Sequence, residues 1–386
     1  MHRAAIIGAG HTRFGVLEAG PRALLGTAVA ESFASVDRNL ERNQVAEAYL
    51  ATLGFGGWQI GNASTVLAEE AGLIGIPVTR IENACASGGF AIRAAVRAVE
   101  RGDRDVVLVA GLEKMTDVPN ARRRYWLGVS GDTEWERLAG LTFAGVYGLL
   151  ASRYLADHRL GPEALAEVAV KNHENGRLNP NAQFRKALHR DDVLGAPRVA
   201  DPLGLYDCCP VSDGAAALLI ARGDIASRFT DTPVYVDGTG AGSDYLAVQE
   251  RERFTRLDAT RRAAEEAFRE ARAERKGISL LEVHDCFTIA ELLALEDLGF
   301  AGNGEAAALT LSGATRRTGR LPVNPDGGLK AKGHPIGATG VSQAYEAFVQ
   351  LRRQAGARQV PGAERALTHN VGGSGASATV TLFSVG

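Results

Sequence analysis

Four short segments hold the side chains whose types and spacing could do chemistry. Asn83-Ala84-Cys85-Ala86-Ser87-Gly88-Gly89 joins a polar strand end to a helical pattern, so its thiol meets the unsatisfied amides and positive dipole end of a helix. That setting favours the thiolate and predicts a pKa below the usual value of about 8.5. Gly333-His334-Pro335-Ile336-Gly337-Ala338-Thr339-Gly340 places an imidazole in a glycine-rich turn that opens a later helix. Imidazole titrates near neutrality and can take a thiol proton, so Cys85 and His334 read as nucleophile and base. Val283-His284-Asp285-Cys286-Phe287 ends a strand with a second imidazole and a second thiol, and His369-Asn370-Val371-Gly372-Gly373-Ser374-Gly375 is a tight backbone segment before the last strand. Amides exposed in such a turn stabilise the negative charge that appears on a thioester oxygen during acyl transfer.

Taken singly, each segment is also explained by a packing cysteine, a core histidine or a turn. Taken together, two thiols, two imidazoles and an amide turn, all at strand ends or helix starts, fit carbon–carbon bond chemistry on thioesters. That reaction needs a nucleophile to hold an acyl group, a base to take a proton from the carbon beside a second thioester, and two oxyanion holes.

The elements that must position these groups alternate. Apolar runs at residues 4–7, 46–53 and 106–110 read as strands and 90–99 as a helix. Residues 119–200 change to charged helical stretches (141–155 and 162–171) and a polar segment, 172–183, and read as an insertion that covers something. Strand character returns at 215–220, 234–237, 280–284 and 379–383, with amphipathic helices over 259–274 and 338–354. The two halves repeat one plan, since Ala4-Ala5-Ile6-Ile7-Gly8-Ala9-Gly10 matches Val234-Tyr235-Val236-Asp237-Gly238-Thr239-Gly240. Two similar α/β halves that pack face to face place a site between them. The division expected is residues 1–117 with 200–230 as the first half, 118–199 as the cover and 231–386 as the second half.

Composition narrows the function. The chain has 386 residues, with 43 Lys and Arg against 45 Asp and Glu, a balance that argues against a nucleic-acid partner. No apolar run approaches a membrane span and no signal-peptide core follows Met1, so a soluble, cytoplasmic protein is expected. The four cysteines include no C-x-x-C, and Cys208-Cys209 reads as a buried pair before a proline, so no bound metal is expected. Gly8-Ala9-Gly10 lacks the third glycine of a dinucleotide loop, and phosphate-loop, zinc-protease and serine-elbow motifs are absent.

The chain resembles the thiolase superfamily, most closely the branch of sterol-carrier-protein-type and archaeal acetoacetyl-CoA thiolases. The resemblance runs over essentially the whole sequence: IIGAGHTRFG (6–15), NACASGG (83–89), DVVLVAGLEKMTD (105–117), VAVKNHENGRLNPNAQFR (168–185), DCCPVSDGAAALLI (207–220), EVHDCFTIAELLALEDLGF (282–300), PVNPDGGLKAKGHPIGATG (322–340) and HNVGGSGASATVTL (369–382). It implies an α/β thiolase fold of two βαβαβαββ halves in a five-layered α-β-α-β-α core, with a covering loop domain. Carried over by position, Cys85 is the acylated nucleophile and His334 its base. His284 stands where many thiolases have Asn and helps form the first oxyanion hole. Asn370 takes the place of the usual C-terminal proton-shuttling cysteine, and Cys286 of His-Asp-Cys-Phe substitutes for it. The Gly372 amide, with that of Cys85, forms the second oxyanion hole.

The activity implied is acetyl-CoA C-acyltransfer in lipid metabolism. A Claisen condensation of acetyl-CoA with an acyl-CoA gives acetoacetyl-CoA by a ping-pong route, and thiolysis is the reverse. No cofactor is bound permanently, since coenzyme A thioesters are the substrates. The resemblance also implies a homodimer or dimer of dimers, and an assembly with a hydroxymethylglutaryl-CoA-synthase-like protein and a small OB-fold, zinc-ribbon protein. Asn172 and His173 read as ordering the covering segment, and Arg122-Arg123-Arg124 as a solvated face in preference to a coenzyme A phosphate site. The competing readings are a ketosynthase, which needs no second thiol; an acyltransferase on an aromatic acceptor; a retro-aldolase paralogue working with the zinc-ribbon partner; and a non-catalytic lipid or acyl carrier.

Overall fold

In the computed structural model, which describes residues 2–385, the first half runs β1 (Ala4–His11), α1 (Pro21–Ala34), β2 (Glu47–Ala51), α2 (Ala63–Ala71), β3 (Val78–Ile81), α3 (Ser87–Glu100) and β4 (Val106–Glu113). The chain then leaves the core for α4 (Asn120–Gly128), α5 (Phe143–His158), α6 (Glu163–Arg177), α7 (Arg190–Leu194) and a ribbon of β5 (Arg198–Ala200) and β6 (Leu203–Gly204). It returns as β7 (Gly214–Arg222), which completes a βαβαβαββ order. The second half is β8 (Val234–Ser243), α8 (Asp258–Ala271), β9 (Leu280–Glu282), α9 (Thr288–Asp297), α10 (Ala306–Leu311), α11 (Gly328–Ala331), α12 (Thr339–Leu351), β10 (Arg365–Gly372) and β11 (Ser377–Val385).

The second half departs from the expected plan at its third strand, which is reduced to a parallel bridge between Val323 and Leu281. Pro322 and Pro325 flank that bridge, and proline has no N–H to extend a ladder. The strands lie in the order β3-β2-β4-β7-β1-β8-β11-β10-β9, and the halves join where Ala4, Ala5 and Ile6 of β1 pair with Val236, Tyr235 and Val234 of β8.

Because side chains alternate faces along a strand, each half-sheet is covered on both sides. Ala5 and Ile7 of β1 pack with Leu25 of α1 and Leu67 of α2, while Ala4 and Ile6 share a core with Ile92 of α3 and Val341 of α12. Val234, Val236 and Phe383 of the second half-sheet face that same central core. Leu367 and Leu382 face outward onto Ala263 of α8 and Leu292 of α9. The result is five layers, with α3 and α12 sandwiched between the halves.

The duplicated glycines explain how tightly the outer helices seat. A side chain on Gly10 would collide with the Ala28 carbonyl of α1, and one on Gly240 with the Ala263 carbonyl of α8. The Gly8-Ala9-Gly10 motif lies within β1 and serves helix–strand contact, so it is no phosphate loop.

The covering segment is built onto the outer core of the second half through Tyr147 and Leu150 of α5 and Leu165 and Val168 of α6. Here a sequence expectation fails: the polar stretch at 172–183 begins as helix, because α6 continues to Arg177 with Asn172, His173 and Asn175 buried. Its polar groups tolerate burial because each finds a partner. The Asn172 amide donates to Asp285 at 2.7 Å and Glu291 at 2.9 Å, and Asn175 donates to the Asn324 carbonyl at 2.9 Å. Among the described residues, no helix is long and apolar enough to cross a membrane.

Gly240→Ala is expected to destabilise the protein by about 1–3 kcal/mol through overpacking against α8. Gly61→Ala, which meets nothing within 4 Å, is expected to stay within about 0.5 kcal/mol of the parent. Denaturant unfolding of the two variants side by side checks this, and equal stabilities would contradict it.

Candidate active site

Cys85 sits in the bend between β3 and α3. Ala84 takes a left-handed φ of 48°, a conformation that costs a non-glycine residue energy and persists where its surroundings fix it. The Ser87 hydroxyl does this by accepting from the Asn83 amide at 2.9 Å and donating to the Ala84 carbonyl at 2.5 Å. One turn on, α3 meets α12 at two glycines: a Cβ on Gly88 would stand 2.8 Å from the Gly340 Cα. The helix starts from the two halves therefore touch, which brings the turn at 333–340 over the cysteine.

His334 Nε2 lies 3.3 Å from the Cys85 sulfur, and Nδ1 lies 2.7 Å from the Thr339 hydroxyl. That hydroxyl donates its one proton to the Pro335 carbonyl at 3.0 Å, so it accepts from Nδ1–H. The tautomer this network selects leaves the lone pair of Nε2 facing the thiol. The His334 backbone is anchored by its amide on the Ser212 hydroxyl at 2.9 Å, which in turn donates to Gln183 of the covering segment at 2.6 Å.

Asn370, near the end of β10, ties the remaining pieces together. Its amide nitrogen donates to the Cys85 carbonyl at 2.8 Å and to His284 Nδ1 at 3.2 Å, while its oxygen accepts from the Gly89 amide at 3.0 Å. With Nδ1 accepting, a neutral His284 carries its proton on Nε2, and that atom is buried without a partner. It is a donor waiting for an oxygen. The two imidazoles meet edge to face with centroids 5.1 Å apart.

Cys85, Cys286 and His334 line one cavity of about 160 Å³, walled by Met115, Leu127 and Phe143 among other apolar groups. Cys209, expected to be a bland buried residue, also faces this cavity, and its amide donates to the Cys286 carbonyl at 2.9 Å. Gly372 is buried at the end of β10; the cavity is lined by the next residue, Gly373, whose amide points a hydrogen bond at the Cys85 sulfur. Of the arginine run, Arg122 donates to the Gly57 carbonyl and Arg123 to those of Met115 and Val118. His173 is buried against Phe184 and Tyr206 and does not line this cavity.

Comparison with known proteins decides the family. Residues 4–224 match the thiolase N-terminal domain and residues 240–385 the thiolase C-terminal domain-like family. The chain belongs to the thiolase family. As a thiolase it is an acyltransferase. It is 44% identical over 386 residues to an acetyl-CoA acetyltransferase of Methanothermobacter thermautotrophicus, with all of both chains covered. It is 39% identical to an acetyl-CoA acetyltransferase of Methanocaldococcus jannaschii, covering 100% of this chain and 99% of the other. Sterol carrier protein 2 of Gallus gallus is 35% identical over 332 residues, which span 82% of this chain and 60% of that one. Among solved structures, the Ltp2-ChsH2(DUF35) aldolase superposes with a TM-score of 0.86 at 23% identity, covering 98% and 97% of the chains. Human mitochondrial 3-ketoacyl-CoA thiolase superposes with 0.75 at 16%, covering 100% and 99%. Both likenesses concern the fold.

The electrostatics of this thiolase overturn one expectation. Burial pushes the Cys85 thiol up to about 12, and the neighbouring Cys209 thiol adds to the effect. Burial likewise pulls His334 down to about 3, helped by the Lys332 cation. Desolvation outweighs the favourable start of α3, so the resting pair is a thiol and a neutral imidazole and not a thiolate and imidazolium. Burial also keeps His284 neutral and the Cys286 thiol protonated.

Two buried carboxylates that the sequence did not single out brace the thiolase site. Glu113 accepts from the amides of Leu53 at 3.0 Å, Gly56 at 2.9 Å and Gly337 at 3.2 Å, which locks the His334 turn onto β4. Asp285 accepts from the Leu329 amide at 2.7 Å and from Asn172, which fixes the loop carrying His284 and Cys286. Donor atoms of Cys85, His284 and His334 lie within 4.8 Å of one another. A metal there would need the His284 Nε2 lone pair, and the Asn370 network puts a proton on that atom. The cluster is better suited to hydrogen-bonding an oxygen.

Because the thiol is un-ionised at neutrality, Cys85 alkylation by iodoacetamide is expected to rise about ten-fold per pH unit between pH 7 and 9, following the thiolate fraction. Mass spectrometry of the labelled peptide measures this. A rate independent of pH from 6 to 8 would show a pre-formed thiolate.

Proposed function

We propose that this thiolase condenses acetyl-CoA with a short acyl-CoA, acetyl-CoA above all, through an acyl-enzyme on Cys85, and catalyses the reverse thiolysis. The observation that carries the reading is the pairing of a base-facing thiol, Cys85 on His334 Nε2 at 3.3 Å, with a second thiol, Cys286, in the same small apolar cavity.

In the first half-reaction the Cys85 sulfur attacks the donor carbonyl as its proton passes to His334. The C–S bond to coenzyme A breaks, and Cys286 supplies the proton to the departing thiolate. The enzyme then holds an acyl group on Cys85, an imidazolium at His334 and a thiolate at Cys286. In the second half-reaction Cys286 takes the Cα proton of acetyl-CoA, and the carbanion attacks the acyl-enzyme. The Cys85–acyl bond breaks, and the Cys85 thiolate recovers its proton from His334. All groups return to their starting state.

Oxygen charge has donors ready for it. The unpartnered Nε2–H of His284 suits the enolate oxygen of acetyl-CoA, and the amides of Gly373 and Cys85, aimed at the Cys85 sulfur, suit the oxyanion of the acyl-enzyme. This assigns to Gly373 the oxyanion role expected of its neighbour Gly372. The relatives named acetyl-CoA acetyltransferase support acetyl-CoA as donor. The cavity supports the same length: at about 160 Å³ it holds roughly five groups of water size, enough for two-carbon units. The half-exposed edge strand β3 is the surface on which a second copy would extend the sheet into a homodimer.

Brief exposure to acetyl-CoA is expected to leave an acetyl group on Cys85 that added coenzyme A removes, as read by mass spectrometry. Cys286→Ala should still acetylate but lose condensation by at least about 10²-fold. An unmodified Cys85 would favour the carrier reading, and condensation at the parental rate would remove Cys286 from the mechanism. Widening the cavity with Phe143→Ala is expected to raise kcat/KM for six-carbon relative to two-carbon donors by about ten-fold. An unchanged ratio would show that chain length is set elsewhere.

A further inference from the structure

Tyr147 enters the catalytic cavity from α5, in the covering segment, and the mechanism above gives it no task. The side chain is 1% exposed. Its ring stacks on Phe287, the residue after Cys286, with centroids 4.5 Å apart and planes 22° apart. Its hydroxyl donates to the Gly373 carbonyl at 3.1 Å and stands near the Cys286 thiol, with which Tyr147 shares the cavity wall. Gly373 therefore faces both sulfurs, its amide toward Cys85 and its carbonyl, through Tyr147, toward Cys286.

A phenol hydroxyl has one proton to give and lone pairs that accept. While its proton rests on the Gly373 carbonyl, the oxygen offers lone pairs to the neighbouring Cys286 S–H. Once Cys286 has given its proton to the departing coenzyme A, the hydroxyl can turn and donate to the thiolate. Burial pushes the Tyr147 hydroxyl far above its ordinary range, so it remains a donor and does not itself titrate. Among the charged and titratable groups around the thiol, Cys85 and Asp285 both oppose a negative charge on it, and the Tyr147 hydroxyl favours one.

We infer that Tyr147 is a positioning residue for Cys286: the ring stack on Phe287 aims the thiol into the cavity, and the hydroxyl steadies the thiolate that takes the substrate's Cα proton. The inference rests on the shuttle role proposed for Cys286 and extends it to a residue on a different element, 139 positions earlier in the chain. It also gives the covering segment a part in the proton-transfer step beyond enclosing the site.

Tyr147→Phe keeps the ring and removes only the hydroxyl, so the packing with Phe287 survives, and thermal melting checks that it does. The direct readout is exchange of the acetyl-CoA Cα protons for deuterium in D₂O, measured beside Cys85 acetylation and condensation. Loss of a hydrogen bond to a charged group predicts a fall of about 10- to 100-fold in exchange and condensation, with Cys85 acetylation within about three-fold of the parent. Removing a group that favours the thiolate raises the Cys286 pKa, so the rising limb of the exchange rate against pH should move to higher pH. On a Cys286→Ala background the same substitution should change neither rate further, as expected of a residue that acts through that thiol.

Exchange at the parental rate, an equal loss of acetylation, or an equal further loss without Cys286 would each overturn the role of Tyr147 while leaving the thiolase mechanism standing. A parent protein that never acetylates Cys85 would instead overturn the mechanism, and the role of Tyr147 with it.

Discussion

The contact between α3 and α12 at Gly88 and Gly340 governs everything else at the site, because each helix begins beside one member of the reacting pair. A Cβ on either residue would meet backbone of the other helix at 2.8 Å or less, so the two starts converge only where neither carries a side chain. The thiol belongs to the first half and the imidazole to the second. Their 3.3 Å contact is thus made by the packing of the halves, and neither half contains a site by itself. Asn370 seals this junction, since one amide group bonds the Cys85 carbonyl, the Gly89 amide and the His284 ring.

Burial then determines what the converged groups are. In water a cysteine at a helix start would lean toward thiolate, but around Cys85 the desolvation of a charge is larger than the pull of the helix amides. The pair rests neutral, and charge appears only as substrate reacts. In the proposed mechanism, a fixed donor such as His284 Nε2–H, buried without a partner, would stabilise an oxyanion without reorganising. Glu113 and Asp285, buried beside the cavity, are held by backbone amides and stiffen the loops that carry the site, while their charges oppose a thiolate at Cys85 and Cys286.

Much of this was legible in the sequence, and the rest fails to be for identifiable reasons. Cys85, His284, Cys286 and His334 announce themselves because reactive residue types stand beside glycines at strand and helix ends. The layered fold shows in the alternating elements and in the doubled Gly-x-Gly, which the structure explains by helix–strand contact. The direction of the Cys85 shift was misread because desolvation sums over distant elements, while a helix start is local. The helix through Arg177 was missed because its asparagines look exposed until Asp285, Glu291 and Asn324 are placed against them. Tyr147 reaches the cavity from a segment with no chemical signature, Cys209 from a pair read as bland, and Gly373 from one position beyond the glycine chosen in the amide turn; the prolines around Val323 hinted at a truncated strand only in retrospect.

The central claim is that the glycine contact between the halves creates the reacting pair. The rate of Cys85 acetylation by acetyl-CoA in Gly340→Ala tests it most directly, in protein whose circular dichroism matches the parent. A methyl there would press on the Gly89 amide and on the Asn370 oxygen and move His334 off the thiol, and a misplacement of about 1 Å costs on the order of 10²-fold. A loss of that size is predicted. Acetylation at the parental rate would contradict the account.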